Sequence, residues 1–411
     1  MPRISDRAIA MPASPIRKLV PLAEMAKARG TKVYHLNIGQ PDIPTPRVFF
    51  EAIRKADLTV LEYSHSAGNE TLRRKIAAYY ANLGHPINTD QVLVTNGASE
   101  ALHFVFMTCL NPGDEVIVPE PFYANYNSFA LTAGVKIVPI RTNIENDFDL
   151  PSVVEFERLI TDRTRAIMIC NPGNPTGVLY PLATLEKLRD IVYKHNLYLI
   201  ADEVYREFVY DGYKHYSILG LSKIEQHAIV VDSISKRFSA CGARIGCVVS
   251  KNEEVMGGIM KLAQARLSPP TMGQIGAEAM YDLPQSFYNE VISEYSERRT
   301  FLVEALSKME GVTCPQVNGA FYAMIKLPVD DAEKFCRWML EEFSYKGATV
   351  MMAPANGFYA TAGAGHDEVR LAYVLKKEDL AAAMECLAAG LQKYPGRVHI
   401  GRDDHFSMKS Y

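Results

Sequence analysis

From about residue 70 the chain repeats one alternation, a short apolar run followed by a longer amphipathic stretch. "QVLVTNG" leads into "ASEALHFVFMTCL", "DEVIVPEP" into "YANYNSFALTAG", and "RAIMICNPGNPTG" into "LATLEKLRDIVYKHN". "LYLIADEVY", "AIVVDSISK" and "IGCVVS" continue the series. Strands apolar at almost every position must be buried on both faces, and helices between them must cover those faces. The pattern therefore predicts an α/β fold, a mostly parallel sheet between two layers of helices. "GCVVS" is a candidate antiparallel member, and its direction stays open at this stage.

At 411 residues the chain exceeds the roughly 250–300 residues at which one hydrophobic core stops growing, so two domains are expected. "SFYNEVISEYSERRTFLVEALSKM" reads as one long amphipathic helix around residues 285–310. Beyond it, "GAFYAMIKLP", "CRWMLEEF", "ATVMMAP", "VRLAYV" and "KEDLAAAMECLAAGLQKY" form an α+β pattern, the mark of a second and smaller domain. The closing "GRDDHFSMKSY" reads as a polar tail.

A net charge of -3 gives no electrostatic reason to expect nucleic acid or an anionic membrane as a partner, which points to a small-molecule ligand. Seven cysteines, an odd number without a C-x-x-C pair, fit reduced buried thiols better than a disulfide framework or a zinc site. The ten histidines are scattered without the spacing of a metal site. His65 and His103 lie nearest the residues discussed next, but the chemistry needs neither. The amino terminus carries no apolar run of signal-peptide length and no window reaches transmembrane length, so the cytoplasm is expected.

Ligands of open parallel sheets bind beyond the carboxyl ends of the strands. Gly97, Ala98 and Ser99 follow one strand and open a helix, where free N–H groups favour a phosphate. Asn174 sits in the sharply turned "CNPGNPTG", and Asp202 follows the apolar "YLIA". A carboxylate buried there requires a cationic partner. Then comes "VDSISKRFSACGARIG", with Lys236 and, eight residues on, Arg244 among small side chains. A desolvated lysine is a nucleophile toward aldehydes and ketones, and a lysine with an acid for a pyridine nitrogen is the signature of pyridoxal phosphate. Arg244 and the serines would then hold its phosphate.

In this order and spacing, "LNIGQPDIPTP", "YSHSAGNETLRRKIAAYY", "NPGNPTG", "ADEVYREF", "SISKRFSACGARIG" and "VRLAYV" make the chain resemble the fold-type I, class I/II pyridoxal-phosphate aminotransferases, including aspartate and aromatic aminotransferases. The resemblance implies a seven-stranded, mostly parallel sheet in a large domain at 46–289. Residues 1–45 and 290–411 would form the amino-terminal segment and the small domain. Lys236 would attach the cofactor and move the proton at the substrate α-carbon, Asp202 would hold the pyridine nitrogen, and Asn174 and Tyr205 would bond its phenolic oxygen. Tyr123 would stack on the ring. Gly97, Ala98, Ser99, Ser233 and Arg244 would bind the phosphate, joined by Tyr63 across a homodimer interface with shared active sites. Arg370 would grip the substrate α-carboxylate, assisted by Asn174 and the backbone of Gly39.

The implied activity is ping-pong transfer of an amino group from an L-amino acid, aspartate first and aromatic next, to 2-oxoglutarate. A carbon–sulfur β-lyase using the same cofactor is the alternative, and an aminotransferase-like regulator is disfavoured because fewer than about forty residues precede the core. The chain departs from the resemblance at two points. Ser99 stands where some bacterial aspartate aminotransferases carry a lysine for the distal carboxylate, and "PANGFYATAGAG" replaces a shorter turn. Arg266 is read as an exposed helical arginine, with a distal substrate carboxylate as its other candidate partner.

Overall fold

The structure, a computed structural model, describes residues 2–398; the polar tail expected at the end of the chain lies outside them. Strand β1 (Lys32–His35) belongs to a small side sheet. The main sheet is built from β2 (Val92–Thr95), β3 (Glu115–Glu120), β4 (Lys136–Arg141), β5 (Thr164–Cys170), β6 (Tyr198–Asp202), β7 (Ala228–Ser233) and β8 (Gly246–Ser250). Its seven strands lie in the order β2-β8-β7-β6-β5-β3-β4. β3, β4, β5, β6 and β7 pair in parallel. β8 runs antiparallel to both of its neighbours, β2 and β7, which settles the direction of "GCVVS". The fold is α/β with a mostly parallel sheet between helices.

After the helix Gln285–Ser307 come β9 (Tyr322–Lys326), β10 (Ala348–Met351), β11 (Ala353–Pro354) and β12 (Glu368–Ala372). β11, β12 and β9 make an antiparallel sheet, and β10 pairs in parallel with β1. This part has its own core, in which Leu36, Phe321, Phe335, Leu371 and Leu387 are buried. The long helix serves both cores: Tyr288 packs on the sheet side, while Tyr295, Leu302 and Leu306 pack on the other. Its apolar face is therefore split lengthwise between two partners. Among the described residues no helix is long and apolar enough to cross a membrane.

Six of the seven main strands point one way, so the trailing ends of β2, β5, β6 and β7 share an edge with the leading end of β8. At that edge β7 runs straight into a helix of four residues, Ile234–Arg237. One turn cannot sustain itself, because helix nucleation costs more than one turn of hydrogen bonds returns. Side chains hold it instead. Ser233 caps it, accepting from the N–H of Ser235 at 3.1 Å. At its other end Arg237 donates to Asp232 at 2.6 Å, with both side chains sealed from solvent. Asp232 also accepts from the Tyr80 hydroxyl at 3.1 Å and from the Ser233 N–H at 2.7 Å. The Arg237 guanidinium lies 4.4 Å from the centre of the Tyr79 ring.

Removing one partner of such a buried pair leaves the other charge stranded, at a cost of about 3–5 kcal/mol. Asp232→Ala is expected to lower the unfolding free energy in urea by that amount, and adding Arg237→Met should recover part of it. A loss under about 1 kcal/mol would show that the pair does not secure this turn.

Candidate active site

The shared strand edge opens into a cavity of 290 Å³ whose wall includes Lys236, Asp202, Arg244 and Arg370. Lys236, carried by the pinned turn, donates from Nζ to the Gly39 carbonyl at 2.8 Å. Gly39 admits no side chain, since a Cβ there would lie 1.7 Å from the Tyr322 hydroxyl oxygen. The lysine thus reaches backbone across the space a ligand would enter.

Asp202 ends β6 and is 5% exposed. Its Oδ2 accepts from the Tyr126 hydroxyl at 2.7 Å and its Oδ1 from the Val204 N–H at 3.3 Å. Burial pushes its carboxyl up to about 6, against the opposing pull of Tyr126, Val204 and the Lys236 charge. At neutral pH it remains an anion held at a cost that a nearby cation would relieve. Asn174 donates to the Tyr205 hydroxyl at 3.5 Å, and Tyr205 shares a hydrogen bond of 3.0 Å with Tyr322. Burial raises the Tyr205 phenol well above its ordinary range, so it stays a neutral donor.

The anion-binding end is assembled from three elements. The helix Gly97–Cys109 begins at the end of β2 with Gly97 at φ 72°, in the left-handed region that favours glycine. A Cβ on Gly97 would come within 2.2 Å of Arg244 Nη2. Arg244, itself left-handed at φ 56°, donates to the carbonyls of Cys241 at 3.1 Å and Asn96 at 3.3 Å. The guanidinium is thereby laid over the helix N-terminus, where Ala98 and Ser99 line the cavity. The Ser233 hydroxyl donates to the Ile245 carbonyl at 2.9 Å and pairs with Ser235 Oγ at 2.8 Å. Helix dipole, free N–H groups and guanidinium all favour an anion at this point.

Arg370, on β12, is 0% exposed. Nη1 donates to Asn174 Oδ1 at 3.0 Å and Nη2 to the Asn37 carbonyl at 2.5 Å, both neutral acceptors. Nε has no partner, and no carboxylate among the described residues pairs with this guanidinium. It is sandwiched by the rings of Tyr322 and Phe358, at 4.4 and 4.9 Å from their centres. Burial without an anion makes the charged form harder to keep and lowers its pKa. Such a cation is poised for a carboxylate supplied from outside.

Eleven of the sequence-predicted residues line one cavity: Gly39, Ala98, Ser99, Tyr123, Asn174, Asp202, Tyr205, Ser233, Lys236, Arg244 and Arg370. Gly97 lies beneath Arg244 rather than on the wall, and Tyr63 stands outside at 78% exposure. Arg266 is neither exposed nor aimed at the cavity: its guanidinium pairs with Glu100 at 2.5 Å and donates to the Ser66 carbonyl at 3.0 Å. Its sequence neighbours gave no hint of Glu100, which sits on another helix. "PANGFYATAGAG" supplies Phe358 beneath Arg370, and its Ala360 and Thr361 N–H groups bond to Glu120. His65 and His103 are absent from the wall; His103 pairs with the Thr132 hydroxyl. The sequence reading passed over Tyr126, Tyr322, Cys241 and Arg17; Tyr126 and Tyr322 meet their partners Asp202 and Tyr205 only from positions distant in the chain.

The raised carboxyl of Asp202 has a sign that can be checked. Between about pH 4 and about pH 6 the folded chain holds a proton that the unfolded chain has released, so stability falls as pH rises through that window and is level above it. Relative to Asp202→Asn, the cofactor-free protein should lose on the order of 3 kcal/mol across this range. Parallel denaturation profiles for the two proteins would contradict a buried Asp202 carboxylate.

Comparison with known proteins places this geometry in a family. The sequence profile of the family described as "Aminotransferase class I and II" matches residues 31–387. Aspartate aminotransferase of Thermotoga maritima is 35% identical over 377 residues, covering 90% of this chain and 95% of that protein. Aromatic-amino-acid aminotransferase 2 of Thermococcus litoralis is 32% identical, covering 93% of this chain and 96% of its own. The crystal structure of the T. maritima enzyme superposes with a TM-score of 0.87 at 33% identity, covering 95% of this chain and 100% of that one. A family of pyridoxal-phosphate enzymes thus matches both the fold and nearly the whole sequence, and the chain belongs to the class I and II aminotransferases.

Proposed function

We propose that the chain moves the amino group of an L-amino acid, aspartate foremost, to 2-oxoglutarate by a ping-pong route with pyridoxal 5'-phosphate bound in the cavity. The observation that carries this reading is the buried guanidinium of Arg370, without an anionic partner, on the same wall as Lys236 and Asp202. The donor set fits the cofactor: a lysine amine, a buried carboxylate that needs a cation, and an anion cradle at Gly97–Ser99, Ser233 and Arg244. When bound, the cofactor draws electrons from the substrate α-carbon and carries the amino group between the two half-reactions.

The chain's own residues do the rest. Arg370 orients the substrate by its α-carboxylate through a planar fork, which lysine could not reproduce, and Asn174 braces that fork. Lys236 Nζ anchors the cofactor and, once freed, moves the proton at the α-carbon as a general base and acid. Asp202, ionised above about pH 6, holds the pyridine nitrogen protonated. Asn174 and Tyr205 supply hydrogen bonds to the phenolic oxygen, and the Tyr123 ring covers the cofactor face.

A homodimer completes the site in this reading. Tyr63 at 78% exposure stands in an exposed apolar run with Leu58, Val60 and Leu61. Such a patch is costly on a monomer and suits burial against a second copy, where Tyr63 would reach the partner's phosphate site. The seven cysteines, all without disulfide partners, suit the cytoplasm.

The test is a half-reaction on purified protein, following cofactor absorbance as aspartate, phenylalanine, alanine and cystathionine are added separately without a keto acid. Aspartate should convert the cofactor to its amino form and 2-oxoglutarate should restore it; pyruvate accumulating from cystathionine with unchanged absorbance would make the protein a β-lyase. Lys236→Ala is expected to abolish turnover while cofactor uptake partly survives, and normal turnover would refute its catalytic role. Sedimentation should report twice the 45.8 kDa chain mass, with Tyr63→Phe weakening cofactor retention. A monomer that retains cofactor normally would refute the shared site.

A further inference from the structure

Four cations line the cavity, Arg17, Lys236, Arg244 and Arg370, against a single carboxylate, Asp202. On the aminotransferase reading, on which this inference rests, three of the four have partners: the cofactor itself for Lys236, its phosphate for Arg244 and the substrate α-carboxylate for Arg370. Asp202 is taken by the pyridine nitrogen. Arg17 is left over. Among the described residues it pairs with no carboxylate and its guanidinium makes no hydrogen bond, although it reaches the same cavity and its charge is felt by the Tyr123 phenol.

Its placement is tied to the substrate clamp through one residue. The Asn37 carbonyl accepts from Arg370 Nη2, and the Asn37 side-chain amide donates to the Ile16 carbonyl at 2.8 Å. The segment is also braced where Pro15 lies so close to Gly357 that a Cβ there would be 2.3 Å from the Pro15 Cβ. Arg17 is thus carried on backbone referenced to Arg370, as a group that reads the far end of the same substrate must be. Neither of the other positions considered for that end supplies a free cation: Ser99 is neutral and Arg266 is spent on Glu100.

We propose that Arg17 binds the distal carboxylate of a dicarboxylic substrate and so sets the preference of the site for dicarboxylic over monocarboxylic amino and keto acids. Because the Arg17 side chain is exposed, the interaction is screened and its effect is moderate.

Two unreactive ligands of equal length, glutarate and pentanoate, isolate the distal group. Titrated calorimetrically into the cofactor-loaded protein, they report an affinity ratio from which the α-end and cofactor contributions cancel. Arg17→Ala should lower the glutarate-to-pentanoate ratio about 2- to 5-fold, Arg17→Lys should restore part of it, and added salt should compress the wild-type ratio. Arg370→Lys, in contrast, should weaken both ligands together. A ratio unchanged in Arg17→Ala while aspartate still converts the cofactor overturns the role of Arg17 and leaves amino transfer standing. A fallen ratio in a protein that no amino donor converts would support the subsite and sink the aminotransferase reading instead.

Discussion

The site depends on the buried pair between Asp232 and Arg237. Lys236 sits in a helix of four residues, too short to hold its own geometry, and its neighbours on both sides are clamped to the protein interior. Asp232 does this from the end of β7, accepting from Arg237, Tyr80 and the Ser233 N–H at once. The lysine amine can therefore be free to react while the backbone beneath it is fixed. The sealed ion pair supplies rigidity at the root of the side chain without restraining its tip.

Electrostatics organises the cavity in the same spirit. Asp202 and Arg370 are both buried, but neither is neutralised by the other or by an opposite charge at bonding distance. Each is held by neutral partners, Tyr126 and Val204 for the acid, Asn174 and the Asn37 carbonyl for the base. Such groups lie in an environment whose tension an incoming ligand relieves, so the chain has spent stability to keep them preorganised. The aromatic rings around Arg370 exclude water and leave its charge intact.

Much of this was legible in the sequence because it is local. Strands buried on both faces announce themselves as unbroken apolar runs, and the polar residues that interrupt them at one end mark the ligand edge; Lys236, Asp202, Asn174 and Arg244 were found in this way. Whatever needed a partner from elsewhere in the chain was not. Tyr126 looks like an ordinary helix residue until it meets Asp202, 76 positions away, and Tyr322 gives no sign of facing Gly39. Arg266 failed for the same reason, since the carboxylate that claims it lies 166 positions earlier. The direction of β8 was equally illegible: a short apolar strand reads the same both ways, and only its pairing with β2 and β7 fixes it.

The reversal of β8 has a geometric consequence of its own. A strand running against its neighbours brings its leading end to the edge where they bring their trailing ends, so the chain leaves β7 and enters β8 on the same side of the sheet. Lys236 and Arg244 both belong to that single return loop. The span between the Lys236 amine and the Arg244 guanidinium on the cavity wall is therefore set by the length of one hairpin connection rather than by the packing of two domains. That connection acts as a molecular ruler: a residue added or lost between Phe238 and Ala243 would change the separation of the two cations along the cavity wall, while every strand of the sheet stayed in register.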